Sequence, residues 1–194
     1  MQIYPIDDNN RIFQVVDLLD QSTFEWVNTI DWLKVINHPF DSGVEGLSFP
    51  RRILDSTNPN VVKLSNAIKS KLSTINNLIE TSLTDINVVL WLDSPGFKMT
   101  VHTDKGIEKA GILATLQLYL FAPNEDYGTE FFTATATKYK TIFDSYYKFK
   151  SVPNTGYIML NHLNEDGSLP MLWHGMLNRV PEDCYRLSAY WYLK

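Results

Sequence analysis

From Thr84 onward the chain is a series of short runs rich in Val, Ile, Leu and aromatic residues, separated by turn-forming residues. This pattern constrains the fold more than any other feature. Asn87–Asp93 is an apolar run that stops at Ser94-Pro95-Gly96, a turn by its residue types. Lys98–Asp104, Gly111–Ala122, Thr129–Thr137, Thr141–Ser151, Gly156–Asn161, Leu172–Leu177 and Tyr185–Leu193 read as further strands, with Pro123–Gly128 a turn between two of them. So many short strands at close spacing favour two packed sheets, as in a sandwich or jelly roll.

The first part of the chain reads differently. Ile12–Leu19 is rich in β-formers. Asp20–Ile30 has helical spacing at Phe24, Val27 and Ile30, with Ser22 as a candidate N-cap and Glu25 three residues on. Asp31–Asn37 is ambiguous between helix and extended chain, and Gly46–Leu54, with Pro50 and two arginines, stays open. His38–Gly43 is a loop by its Pro, Asp, Ser and Gly content. The strongest helix runs from Pro59 to Ser82: Asn58 suits the cap, and Pro59 the first helical position. Val61, Leu64, Ile68, Leu72, Ile75 and Ile79 form one apolar stripe. That stripe needs a partner surface, and the outside of the sheet is the natural one. The expected class is α+β, mainly β. It forms a single domain over residues 1–194, with a helical N-terminal buttress (1–82) and a strand-built core (83–194).

At 194 residues the chain can bury one sizeable core. Its net charge of −5 argues against a protein that grips nucleic acid mainly through phosphates. Cys184 is the only cysteine, so no internal disulfide forms, which fits a reducing compartment. Met1–Asn10 has no charged-then-apolar signal pattern, and no apolar run approaches spanning length. The expectation is a soluble cytoplasmic protein.

Histidine is scarce, so its placement carries weight. In a strand, alternate residues share a face, so His102-x-Asp104 points an imidazole and a carboxylate to the same side. His174 supplies a second imidazole far downstream. Two imidazoles and a carboxylate are a set that holds non-haem Fe(II) with positions left open. On the last strand, Arg186, Ser188, Tyr190 and Tyr192 alternate with apolar residues and share one face. Arg with Ser suits a carboxylate, because the guanidinium is a planar fork of donors. His38 and His162 lie in loop-like segments and read as ordinary polar residues. Arg179 reads as a loop residue. By alternation Tyr119 shares a face with Gln117 and Thr115, polar groups that need partners if they face inward.

The order His102-x-Asp104…His174…Arg186-x-Ser188 resembles the 2-oxoglutarate- and Fe(II)-dependent dioxygenases, most closely their prolyl-hydroxylase-like branch. Ser94-Pro95-Gly96-Phe97 resembles the family's turn into the metal strand. Tyr119-Leu120 with Tyr127-Gly128-Thr129-Glu130-Phe131-Phe132 resembles its central hairpin, and Pro153-x-x-Gly156-Tyr157 the strand before the distal histidine. The likeness covers roughly residues 83 to 194. One departure is Tyr127-Gly128 where the family usually has paired glycines.

The resemblance implies a double-stranded β-helix (jelly roll) with the N-terminal helices packed on one sheet. It implies Fe(II) on His102, Asp104 and His174, and 2-oxoglutarate as co-substrate. Arg186 and Ser188 then hold the far carboxylate, Tyr119 touches it through its hydroxyl, and Gln117 lines the pocket. It implies a dioxygenase that uses dioxygen to hydroxylate a peptidyl residue such as proline, or a small metabolite, releasing succinate and CO2. Pro39–Arg52, Lys105–Ala110 and Thr133–Lys150 are candidate substrate loops, the last being equally an amphipathic strand pair. Two rival readings are a zinc-dependent hydrolase or lyase and a non-catalytic cupin-like binding module. The first leaves Arg186-x-Ser188 without a role.

Overall fold

The computed structural model describes residues 1–41, 48–104, 111–161 and 172–194, without the side chains of 40, 41, 48 and 49. Twelve strands are described: β1 Gln2–Pro5, β2 Ile12–Val16, β3 Asn37–Asp41, β4 Ser48–Leu54, β5 Asp85–Asp93, β6 Met99–His102, β7 Ala114–Phe121, β8 Glu130–Ala136, β9 Thr141–Lys148, β10 Thr155–Leu160, β11 Trp173–Met176 and β12 Arg186–Leu193. Three α-helices accompany them: α1 Gln21–Asn28, α2 Pro59–Lys69 and α3 Leu72–Leu78. The strands form an eight-stranded sheet, ordered β1-β2-β10-β7-β12-β5-β4-β3, and a four-stranded sheet, ordered β6-β11-β8-β9. Neighbouring strands run antiparallel throughout. Among the described residues no helix is long and apolar enough to cross a membrane.

The two faces of the large sheet have different chemistry, and strand alternation sets them apart. Leu187, Ala189, Trp191 and Leu193 of β12, with Leu116, Leu118 and Leu120 of β7, join one buried cluster with Val61, Leu64, Ile68 and Ile75 of the helices. The opposite face carries Arg186, Ser188, Tyr190 and Tyr192, and it looks onto the small sheet. A second apolar cluster, including Tyr119, Phe131, Phe149 and Tyr157, fills part of the space between the sheets.

The expected 24-residue-long helix from Pro59 is two helices. Ser70 donates its hydroxyl to the Ala67 carbonyl at 2.7 Å, and the Lys71 N–H turns back to the Ile68 carbonyl at 3.0 Å. These local bonds end α2 before α3 restarts. The apolar stripe continues across the break: Val61, Leu64, Ile68 and Ile75 are all buried, with Leu72 and Ile79 packed against them. Helix α1 is capped by Asp20, whose carboxylate accepts from the Thr23 N–H at 2.9 Å, and not by Ser22. An aspartate two residues earlier was the better cap.

The N-terminal part is also less helical than expected. Residues 37–41 are not a loop but strand β3, paired with β4 through His38↔Ile53 and Pro39↔Arg52. Pro39 is tolerated because β3 is the outermost strand and its missing N–H breaks no ladder. With β1 and β2 at the other edge, the first third of the chain widens the large sheet as well as covering it. Thr133–Lys150 is mainly the β8–β9 hairpin, and Arg179 lies in an exposed loop. His162 and Lys105–Ala110 lie outside the described residues.

Candidate functional site

Strands β6 and β11 lie side by side in the small sheet, with His102 and His174 directly paired. The imidazole centroids are 4.5 Å apart. Gly175, next to His174, permits this approach: a Cβ there would lie 2.9 Å from the Met99 carbonyl oxygen. Asp104 follows the end of β6 and turns its carboxylate between the rings. Its oxygens are 3.5 Å from His102 Nε2 and 3.7 Å from His174 Nε2. The three ligand atoms lie within 4.8 Å of one another.

The imidazole tautomers follow from the backbone. His102 Nδ1 is 2.8 Å from the Thr100 carbonyl oxygen, and His174 Nδ1 is 2.9 Å from that of Leu172. A carbonyl only accepts, so each Nδ1 carries a proton, and Nε2, on the side of Asp104, is the nitrogen each ring offers a metal when neutral. Burial drives the His174 pKa below its usual value. At His102 burial acts the same way, but the Asp104 carboxylate and the Thr100 carbonyl outweigh it and raise the pKa. Burial also works against ionised Asp104, and the two imidazoles overcome it and hold the carboxyl below its usual range.

Across the cavity stands the polar face of the large sheet. Arg186 is 1% exposed. Its Nε and Nη2 lie 2.8 and 2.7 Å from Asp93 Oδ2, and its Nη1 donates to the Tyr127 carbonyl at 2.9 Å. Arg51 of β4 approaches the same carboxylate from the other side, Nε to Oδ1 at 2.5 Å. Burial opposes charge on Asp93, but the two guanidiniums overcome it and keep the carboxyl below its ordinary range. A cavity of about 120 Å³ is lined by His102, Asp104 and His174 on one side and by Arg51, Arg186, Tyr190 and Tyr192 on the other.

Thr129 also lines this cavity and organises two of the expected residues. Its N–H donates to Tyr119 Oη and its hydroxyl to Gln117 Oε1, both at 2.8 Å. Burial pushes the Tyr119 pKa up to about 12 against the opposing pull of the Thr129 bond, so Tyr119 keeps its own proton. Gln117 Nε2 and Ser188 Oγ are buried without a hydrogen-bond partner among the described residues. Native interiors seldom leave such atoms unpaired, yet Gln117, Ser188 and Tyr119 are fully buried and are not among the residues lining the cavity.

The structure thus gathers His102, Asp104 and His174 in one place and Arg186 across from them. Gln117, Tyr119 and Ser188 are on the same face of the large sheet, but Tyr119 packs within the aromatic cluster. Sequence reading missed Arg51 and Asp93. Arg51 and Arg52 are neighbours, so one must face in and the other out. Only the register of β4 against β5, Arg51↔Asp93, shows which. Asp93 did give a signal, a charge closing an otherwise apolar strand.

No family model and no curated protein matches the chain. Solved structures do. A viral collagen prolyl hydroxylase from Paramecium Bursaria Chlorella virus-1, solved as a 2-oxoglutarate complex, superposes with a TM-score of 0.55. It is 15% identical, over 94% of this chain and 94% of that one. A Pseudomonas putida prolyl-4-hydroxylase gives 0.56 at 15% identity, over 94% and 91%. HygX from Streptomyces hygroscopicus, with nickel, 2-oxoglutarate and hygromycin B bound, gives 0.59 at 10% identity, over 94% and 82%.

The fold is that of the 2-oxoglutarate- and Fe(II)-dependent oxygenases. In this oxygenase fold the two sheets form the jelly roll expected from the strand pattern, and the His-Asp-His group sits between them at the small-sheet side. The same fold serves more than one reaction, since SnoN, a non-haem alpha-ketoglutarate-dependent epimerase from nogalamycin biosynthesis, superposes with a TM-score of 0.58 at 12% identity.

Proposed function

We propose that the protein is an Fe(II)- and 2-oxoglutarate-dependent oxygenase, with hydroxylation as its reaction. The observation that carries this reading is the aim of the two imidazoles. Both Nδ1 protons are tied to backbone carbonyls, and both Nε2 atoms converge with Asp104 on one point of a cavity whose far wall holds a buried arginine. The donor set fits Fe(II), and the unpartnered Ser188 Oγ and Gln117 Nε2 fit an oxygen-rich co-substrate. Bound there, Fe(II) with 2-oxoglutarate and dioxygen supplies the oxidant for a substrate C–H bond, leaving succinate and CO2.

The chain's own residues have distinct tasks in this proposal. Thr100 and Leu172 keep the imidazoles in the ligating tautomer. Arg186 and Ser188 hold the far carboxylate of 2-oxoglutarate. Tyr119 has a hydroxyl proton to donate, and Gln117 an amide, with Thr129 fixing the direction of both. The substrate is a peptidyl residue such as proline, or a small metabolite, as the names of the structural neighbours suggest. Neither the zinc hydrolase or lyase nor the binding module is favoured by these neighbours. Strands β1–β4 and the helices share a sheet and a core with the rest, which supports one domain over residues 1–194. The lone Cys184 supports a reducing, cytoplasmic setting.

The test is succinate formation by the purified protein supplied with Fe(II), 2-oxoglutarate and air, with and without candidate substrates. Metal-dependent turnover that His174→Ala abolishes is the expected result. Full turnover by that variant, or turnover with zinc alone, ends the proposal.

A further inference from the structure

Arg51, Asp93 and Arg186 form a row across three adjacent strands. On β4, β5 and β12 they are in register, Arg51↔Asp93 and Arg186↔Asp93, with Asp93 in the middle. The row is buried, its members being 7%, 0% and 1% exposed. Arg51 Nε and Nη2 lie 2.5 and 3.2 Å from the two Asp93 oxygens, while Arg186 takes Oδ2. Phe97 sits against both guanidiniums, with its ring centroid 4.2 Å from Arg51 Cζ and 5.9 Å from Arg186 Cζ. Both arginines line the cavity that holds the His-Asp-His group.

We propose that Arg51 is a second anion-binding group of this cavity, sharing with Arg186 the far carboxylate of a 2-oxo diacid. The proposal rests on the oxygenase reading given above. Its core is a count of charges. Asp93 cancels one guanidinium, so an Arg186–Asp93 pair alone would offer an incoming anion no net charge. Arg51 restores one positive charge to the wall. On the opposite side, a divalent metal with one aspartate and two neutral imidazoles also carries one. The two sides together match a dianion whose ends are separated by a short carbon chain.

A structural explanation of the row is weaker. One arginine is enough to neutralise a buried aspartate; the Trp91, Phe97 and Tyr190 rings around Arg51 offset part of the cost of its surplus charge but do not neutralise it, which an anion would. The unused donors point the same way. Of the five N–H groups on each guanidinium, Arg51 commits two to Asp93 and bonds Tyr190 as well, and Arg186 commits three to Asp93 and Tyr127. Donors therefore remain on both, and both side chains line the cavity.

The experiment measures binding by titration calorimetry to Ni(II)-loaded protein. The probes are 2-oxoglutarate and 2-oxopentanoate, which keeps the chelating head and replaces the far carboxylate with a methyl group. Wild type should prefer the diacid. Arg51→Gln should weaken 2-oxoglutarate binding by about 10- to 100-fold, the range of a lost charge-assisted hydrogen bond, and leave 2-oxopentanoate unchanged. Arg51→Lys should fall between the two, and thermal melting should show that both variants fold. Equal loss for both probes, or no loss for either, overturns the role of Arg51 while leaving the oxygenase reading intact. A wild type that binds neither probe overturns that reading, and this proposal with it.

Discussion

Two aspartates, Asp104 in the cavity lining and Asp93 fully buried, each stand between two nitrogen-bearing side chains, and the pairs are built differently. Asp104 stands 3.5 and 3.7 Å from the imidazole Nε2 atoms, beyond good hydrogen-bonding distance. Asp93 is held by two guanidiniums at 2.5 to 3.2 Å. The first spacing suits groups that share an ion, and the second is a completed salt bridge. The imidazoles are anchored from behind, by the Thr100 and Leu172 carbonyls, so their orientation does not depend on Asp104. The arginines are anchored chiefly by Asp93 itself. The imidazoles are held in place independently of Asp104, whereas the arginines and Asp93 form an internal bond with donors to spare.

The largest expected effect tests the first half of this contrast. His174→Ala should reduce metal-dependent 2-oxoglutarate consumption to background and lower the urea unfolding midpoint by less than Asp93→Ala does, since the buried ring makes one hydrogen bond to protein and packs against Phe131. A large loss of stability would mean that His174 is a structural residue.

Asp93→Ala should do the reverse. It leaves two buried guanidiniums without their carboxylate, a change that costs about 3–5 kcal/mol in other proteins. The unfolding midpoint in urea reads it. The same carboxyl gives a pH signature. Its folded pKa lies below its unfolded one, so its contribution is complete above about pH 5 and is lost as the pH falls below about 4. Asp93→Asn should accordingly lose less stability than wild type between pH 7 and pH 3. Equal acid loss in the two proteins would mean that Asp93 is not the group responsible.

The contrast also explains which half was legible in the sequence. His102 and Asp104 are two residues apart, and strand alternation alone puts them on one face. His174 and Arg186-x-Ser188 came through the family resemblance. The Arg51–Asp93–Arg186 row has no local spacing: its members lie on three strands far apart in the chain and meet only through register. Likewise the strands after Thr84 were readable because each carries its own apolar run and turn. Strand β3 was not, because Pro39 and its polar neighbours look like a loop until an outer sheet position makes them acceptable. The break at Ser70 was hidden by a stripe that runs through it uninterrupted.

The smallest expected effect separates a ligand-binding group from a structural one most sharply. Ser188 Oγ is fully buried and has no partner among the described residues, although its neighbours across the sheet are Trp91 and Tyr119. Removing an unpaired buried hydroxyl relieves a desolvation cost and leaves only a small gap. Ser188→Ala should therefore unfold within about 0.5 kcal/mol of wild type, or be slightly more stable. Yet if this hydroxyl meets the far carboxylate of 2-oxoglutarate, the same change should weaken co-substrate binding by about 2- to 10-fold, the worth of one ordinary hydrogen bond. Calorimetric titration of the metal-loaded variant, set beside its urea melt, reads both numbers. A variant destabilised by more than about 1 kcal/mol with unchanged affinity would place the hydroxyl in the packing of the sheet and not in the binding of an anion.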